Sequence, residues 1–329
     1  MTSSLDPQRP LHLRFAGDWG GVNLTRICGW IAGELFNRAG AGTGSTIHTG
    51  RGMGDNLYTV GRGEVDVAVS TPAGFARMAR EGLGPFADEP LPTLRAIGSL
   101  PHRDALLVAV PAQLGINTFS ELRERRPALR VALAPNDGLS FMGLGAESVL
   151  RVSGISPADI LEWGGELIYH EQPQECVAEV MAGHADSIIQ EAIMTPWWQE
   201  MSEAHSFRFL SLEDAAADRL EQELRLASVE VPAGFLPGLD TPLRAVDFTD
   251  WMVVVREDMR DDVAGLLAAI MVETSGQFER QYTHFPVRFS PLDYPITPER
   301  LASTPIPLHP GAEAYYDSIG ALNVSASVG

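Results

Sequence analysis

Residues 46–72 read TIHTGRGMGDNLYTVGRGEVDVAVSTP. The spacing predicts a short strand over Thr46 to His48, a loop with three glycines and Arg51, and a helix opening near Asp55. Val65 to Val69 predicts a second strand, which stops at Ser70-Thr71. A strand that ends in glycines and runs into a helix leaves backbone N–H groups unpaired at the helix N-terminus, where an anion can take them up. A dinucleotide fingerprint fails here, because Gly50-Arg51-Gly52-Met53-Gly54-Asp55 places aspartate where a third glycine must let helix and strand pack. A Walker loop fails because the chain has no lysine. Two readings survive: glycines that only turn the chain, and glycines that shape half of a ligand clamp.

Working outward, the same strand, loop and helix plan precedes and follows this stretch. Leu11 to Ala16 predicts a strand ending at Gly17-Asp18-Trp19-Gly20-Gly21. Asn23 then caps a helix with Leu24, Ile27, Cys28, Ile31 and Leu35 on one face. A further helix starts after Ser70-Thr71, so three loops fall at strand C-terminal ends, which in an open parallel sheet share one edge. Leu94 to Leu100 and Ala105 to Val110 are apolar strands separated by Pro101-His102-Arg103-Asp104, read as a crossing between domains.

Beyond that crossing the plan restarts. Thr118 with Glu121 predicts a capping box, Leu129 to Ala134 a strand, and Pro135-Asn136-Asp137-Gly138 a turn before a helix from about Ser140 to Val152. Ser187 to Ile189 predicts a buried strand leading into Gln190-Glu191, with Thr195 placed to cap the helix after it. Trp251 to Val255 reads as a strand after which the chain crosses back near Arg256, and the proline-rich tail from Phe285 to Pro310 reads as a surface wrap. The expected fold class is α/β with two lobes joined by two crossing strands. Residues 1–103 plus 257–329 form one lobe and 104–256 the other.

Composition agrees and excludes several functions. A chain of 329 residues is too long for one ordinary core. Its net charge of −19, from 43 acidic and 24 basic residues, repels nucleic acid and anionic membrane. All the basic residues are arginine, so Schiff-base chemistry is absent, and an anionic ligand must be met by arginine, backbone N–H groups or hydroxyls. Cys28 and Cys176 fall on helices of different lobes, which argues against a disulfide. The eight histidines contain no H-E-x-x-H or other close pair, so neither a metal nor a cofactor is expected. The longest apolar runs, Ala105 to Ala112 and Ala264 to Val272, fall far short of the ~20 residues of a bilayer crossing. The start, MTSSLDPQRPLHLRF, has no basic segment followed by an apolar one, so no export signal is read.

The ending Ile306-Pro307-Leu308-His309-Pro310-Gly311-Ala312, with Tyr315-Tyr316 and Gly320, resembles the C-terminal signature of TAXI proteins, the solute-binding subunits of one class of TRAP transporter. Gly54-Asp55-Asn56-Leu57, Gly63 to Ala68 and Leu94 to Leu100 are similar to further segments of that family, and the likeness covers about residues 11 to 322. It implies a type II periplasmic-binding-protein-like clamp that closes on a small organic acid or amino acid in an interlobe cleft and presents it to a TRAP permease. The ligand contacts it implies are Asp18, Trp19, His48, Arg51, Asp55, Ser70, Thr71, Asn136, Asp137, Ser140, Gln190 and Glu191. It also implies an extracytoplasmic site of action, whereas the start without a signal implies a cytoplasmic one if Met1 is native.

Arg51 leads these candidates, since a guanidinium holds a carboxylate through two parallel N–H bonds. Asp18 and Trp19 either contact ligand or cap a helix and fill the core. Ser140 stands in Gly138-Leu139-Ser140-Phe141-Met142, a near miss of G-x-S-x-G, and serves better as a helix-start hydroxyl than as a nucleophile. Glu191, at a strand end in an apolar run, is open to a structural ion pair, to pairing with a ligand amine or Arg51, or to acid–base work with a raised pKa. The alternatives to solute binding are a cytoplasmic decarboxylase or dehydratase of a small carboxylic acid using Glu191 and His48, or a cytoplasmic ligand sensor.

Overall fold

The computed structural model describes residues 10–20, 23–192 and 196–322. The chain divides into two compact α/β units, one of residues 1–102, 249–287 and 292–329, the other of 103–248 and 288–291. Thr195, expected to cap a helix, lies outside the described residues.

The first unit holds a five-stranded sheet built from β1 (His12–Ala16), β2 (Gly44–His48), β3 (Val67–Ser70), β4 (Leu94–Leu100) and β12 (Trp251–Arg256), in the order β2-β1-β3-β12-β4. β1 is parallel to β2 and β3, and β12 runs antiparallel between β3 and β4. The strand expected to finish the second lobe is therefore central in the first sheet, and the chain returns before it, after Phe248, not near Arg256. Hydropathy cannot assign such a strand to a sheet: Trp251 to Val255 are all buried, and a continuous apolar run fits any two-faced sheet.

The second unit has seven strands. These are β5 (Ala105–Pro111), β6 (Arg130–Leu133), β7 (Glu166–Tyr169), β8 (Ser187–Glu191), β9 (Phe207–Phe209), β10 (Ser228–Val231) and β11 (Leu243–Asp247). Their order is β10-β11-β5-β8-β6-β7, with β9 also paired to β5. The run β7-β6-β8-β5 repeats β2-β1-β3-β12: three parallel strands, then one antiparallel strand that entered from elsewhere in the chain.

Helices form where periodicity and caps agree. Asn23–Arg38 buries Leu24, Ile27, Cys28, Trp30, Ile31 and Leu35, each aliphatic side chain worth about 1.5–3 kcal/mol when fully removed from water. Asp261–Glu273 is buried over Val263 to Met271 and carries two acids in its first turn, matched to the helix dipole. Thr118 caps the helix Phe119–Arg125 through the Glu121 N–H, but the Glu121 carboxylate reaches back to the Asn117 N–H, one residue before a true capping box. Phe141–Val152 starts after Ser140, whose Oγ accepts the Gly143 N–H at 3.2 Å. Cys28 and Cys176 are free and buried, and burial pushes their thiols up to about 12 and about 11.

The tail does more than wrap. The Ala96 N–H donates to Pro307 O and the His309 N–H to Ala96 O, fastening the tail to β4. His309, fully buried, caps the helix Pro310–Ser318 by accepting the Gly311 N–H. A Cβ on Gly311 would stand 2.1 Å from Asp261 O, so glycine is what lets that helix seat. The most specific piece of the C-terminal resemblance is thus a packing device.

Candidate functional site

In the first unit the C-terminal ends of the parallel strands are tied together by backbone bonds. The Gly17 N–H donates to His48 O at 3.0 Å, the Gly50 N–H to Asp18 O at 3.3 Å, and the Thr71 N–H to Gly52 O at 2.8 Å. Asn56, 1 % exposed, sits under all three loops, and its Nδ2 donates to Ala16 O at 3.2 Å, Gly17 O at 3.0 Å and Val69 O at 2.7 Å. Asp18, Trp19, His48, Arg51, Asp55, Ser70 and Thr71 are thereby gathered on one sheet edge. Asn56 was not among the sequence candidates. Its signal was a lone amide inside an otherwise apolar helix face of Met53, Leu57 and Val60.

The backbone donors of this edge are occupied by the chain's own carboxylates. Asp18, buried, accepts from Leu24 N at 2.8 Å, Thr25 N at 3.1 Å and Thr25 Oγ1 at 2.6 Å, so it satisfies the start of Asn23–Arg38. Asp55 accepts from Arg51 N at 2.6 Å and Met53 N at 3.3 Å. Asp55 thus occupies two loop N–H groups just ahead of the helix Gly54–Gly61, and Asp18 two at the start of Asn23–Arg38. Ser70 is buried and its Oγ has no partner among the described residues, whereas His48 is exposed and Trp19, Arg51 and Thr71 are half-buried. Gly52 has φ +80°, and a Cβ there would lie 2.2 Å from Leu24 Cδ1. Gly52→Ala is therefore expected to destabilise the first unit by about 2 kcal/mol, from left-handed backbone strain and a displaced leucine. A urea midpoint unchanged from wild type would count against that account of the loop.

The second unit repeats the arrangement. β6 and β8 are parallel neighbours in the register Leu133↔Ile189, so the turn after β6 and Gln190-Glu191 meet at one edge. Asp137 Oδ1 accepts from Leu139 N at 2.9 Å and Ser140 N at 2.8 Å, a carboxylate at a helix start once more. Asn136 is exposed and its Nδ2 donates to Glu147 at 2.9 Å. Gln190 is fully buried, with Nε2 on Cys176 Sγ and Oε1 accepting the Glu191 N–H. Trp198 is core, and its indole N–H donates to Glu191 O at 2.9 Å, whereas Trp197 is exposed.

Glu191 has acidic company that the sequence reading did not identify. In the register Leu106↔Glu191 and Asp247↔Ala105, with the Ala192 N–H donating to Ala105 O, the start of β5 brings Asp104 and Asp247 to the Glu191 edge. Asp104 is buried; its Oδ1 accepts the Ala105 N–H at 2.7 Å and its Oδ2 has no partner among the described residues. Burial lifts Glu191 to about 7. Asp104 is raised well above the usual carboxylate range, first by burial, then by the charge of Glu191, with a smaller push from Asp247. Such a pair is a proton-holding site near neutrality. The only hint in the sequence was a polar pair, Arg103-Asp104, set directly before a long apolar strand.

No cluster of three or more metal-ligating side chains occurs among the described residues, and no described helix is long and apolar enough to cross a membrane. A family model described as the NMT1-like family matches residues 27–320. None of the curated proteins is matched by the sequence. Among solved structures, XAC2383 from Xanthomonas citri bound to ATP is similar with a TM-score of 0.52 at 14% identity, over 95% of this chain and 97% of that one. The periplasmic aliphatic sulphonate binding protein SsuA from Escherichia coli gives a TM-score of 0.45 at 13% identity, over 94% and 88% of the two chains. At such identities the first likeness concerns the fold, the two-lobed α/β architecture of periplasmic binding proteins.

Proposed function

Because the chain belongs to the NMT1-like family, we propose that it is a solute-binding protein that captures a small organic acid or amino acid on its strand-end loops. The observation that supports this reading is the Asn56 clasp, which joins the ends of two adjacent parallel strands of the first unit, β1 and β3, beside Asp18, Arg51 and Thr71. Ligands of open parallel sheets sit at that edge. With loop and helix-start N–H groups held by Asp18, Asp55 and Asp137, the guanidinium of Arg51 is the side chain proposed to meet a carboxylate, and the loop aspartates favour a ligand that also carries an ammonium group. The TAXI-like ending supports a TRAP permease as the downstream partner. The remaining ligand contacts proposed are Trp19, His48, Ser70, Asn136, Ser140 and Glu191, with Gln190 holding the Glu191 N–H behind them.

A screen of organic acids and amino acids by thermal shift and calorimetry is expected to give a binder that is recovered unchanged. Arg51→Gln is expected to weaken it at least about tenfold, the loss of one charge-assisted pair. Equal affinity in the variant would remove Arg51 from the site. Consumption of the ligand would instead favour an enzyme, a decarboxylase or dehydratase of a small acid, for which Glu191 near neutrality beside Asp104 is the one favourable observation.

A further inference from the structure

The second unit contains a cavity of about 500 Å³ that none of the strand-end residues lines. Its volume lies within the range of pockets that bury most of a small ligand. Its walls come from Arg103 at the start of the unit, the loop 232–240, and Arg288 with Phe289 from the short segment that returns to this unit. Leu236 and Leu239 are buried against the core that contains Phe207 and Phe209, and Phe235 packs on the same cluster.

The loop is built rather than slack. The Gly234 N–H donates to Leu239 O at 2.8 Å, closing it on itself, and the Leu239 N–H donates to Leu236 O at 3.1 Å. Gly234 and Gly238 both take positive φ, and a Cβ on Gly238 would come within 2.7 Å of Phe207 O. The backbone therefore lies flat on β9 where a side chain would hold it off.

The charge of the cavity runs against that of the chain. In a protein of net charge −19 it presents two guanidinium groups. Its one carboxylate, Asp240, is engaged by Arg208 at 3.1 Å. Arg288 makes no ion pair among the described residues; its Cζ lies 4.3 Å from the centre of the Phe289 ring, which covers one face of the guanidinium. Stacking of that kind orients the planar group while its N–H edge stays available to an oxyanion.

The geometry points to a second small-molecule site here, for an organic monoanion with a flat or branched apolar body, the carboxylate or sulfonate on Arg288 and Arg103 and the apolar part against Phe235, Phe289 and Leu236. It goes beyond the strand-end reading and shares no residue with it. Calorimetry on the full chain with benzenesulfonate and benzoate tests it, with benzyl alcohol and sulfate as probes that each lack one half of the recognised chemistry. The expected result is one site for an aromatic anion, weakened at least about tenfold by Arg288→Gln, the loss of one charge-assisted pair, and unchanged by Arg51→Gln. Benzyl alcohol and sulfate are expected to bind at least about tenfold more weakly, by the same arithmetic. Benzenesulfonate is also expected to protect the Arg288 peptide from phenylglyoxal. Arg288 is exposed, so its glutamine variant is expected to fold, and far-UV circular dichroism checks this. No heat with either aromatic anion, equal binding by Arg288→Gln, or benzyl alcohol binding as tightly as benzenesulfonate would each overturn the proposal.

Discussion

Asn56→Ala is expected to lower the stability of the first unit by about 3 kcal/mol: about 1 kcal/mol for each of the two N–H donors that serve the three carbonyls, and about 1 kcal/mol for the space left by the amide. The three carbonyls at risk, Ala16 O, Gly17 O and Val69 O, end two adjacent parallel strands where no further strand residue can take over the bond. The residue is 1 % exposed, so water cannot substitute without the loops parting. Asn56→Asp keeps the size but turns an oxygen toward carbonyl oxygens, and is expected to be at least as costly as the alanine variant. The readout is hydrogen exchange of the β1 and β3 amides, since a chain of two units need not unfold in one step. Exchange rates within about fivefold of wild type, roughly 1 kcal/mol, would show that the clasp is not what holds the loops. The same variant is expected to lose ligand even under conditions where it remains folded, because Asp18, Arg51 and Thr71 stand on the loops it fixes.

Much of this edge was legible in the sequence for a physical reason. Strand, glycine loop and helix alternate with a period that forces parallel strands, and parallel strands end on one side. Residues such as Asp18, Arg51, Ser70 and Glu191 could thus be placed at strand ends without coordinates. Less legible was what those residues do there. Asp55 and Asp137 each bend back to N–H groups two to four residues away, a local bond that competes with a ligand and is invisible to spacing alone. Membership of β12 in the first sheet was hidden because a fully buried strand carries no face-specific alternation. Asp104 was hidden for a third reason: its neighbours Glu191 and Asp247 are distant in sequence and meet it only through the pairings Leu106↔Glu191 and Asp247↔Ala105.

Glu191→Gln is expected to change the pH dependence of stability more than its level at low pH. The carboxyl rises from its ordinary 4.5 to about 7 in the folded chain, because burial disfavours the charged form. A raised carboxyl binds its proton more tightly folded than unfolded. Its contribution is therefore complete below about pH 4.5 and is lost as pH climbs toward 7, about 3 kcal/mol in all at 1.36 kcal/mol per unit. Asp104 is raised in the same direction and adds to the slope. The carboxylates held low by partners, such as Asp66 beside Arg14 and Glu223 beside Arg151, act with the opposite sign and only in acid, so they do not mimic the loss between pH 5 and 7. The glutamine variant keeps the shape and the backbone bonds of Glu191 N and O, and carries no charge to desolvate. Its melting temperature is expected to match wild type near pH 4.5 and exceed it at pH 8, with Asp104 then freed from its largest charged neighbour. A difference that stays constant from pH 4.5 to 8 would mean that Glu191 is ionised with an ordinary pKa, and the proton-holding pair would have to be given up. If the difference appears and closes on addition of a bound solute, the proton moves when the ligand arrives, which ties this edge of the second unit to binding through a charge that can be followed by calorimetry in buffers of different ionisation enthalpy.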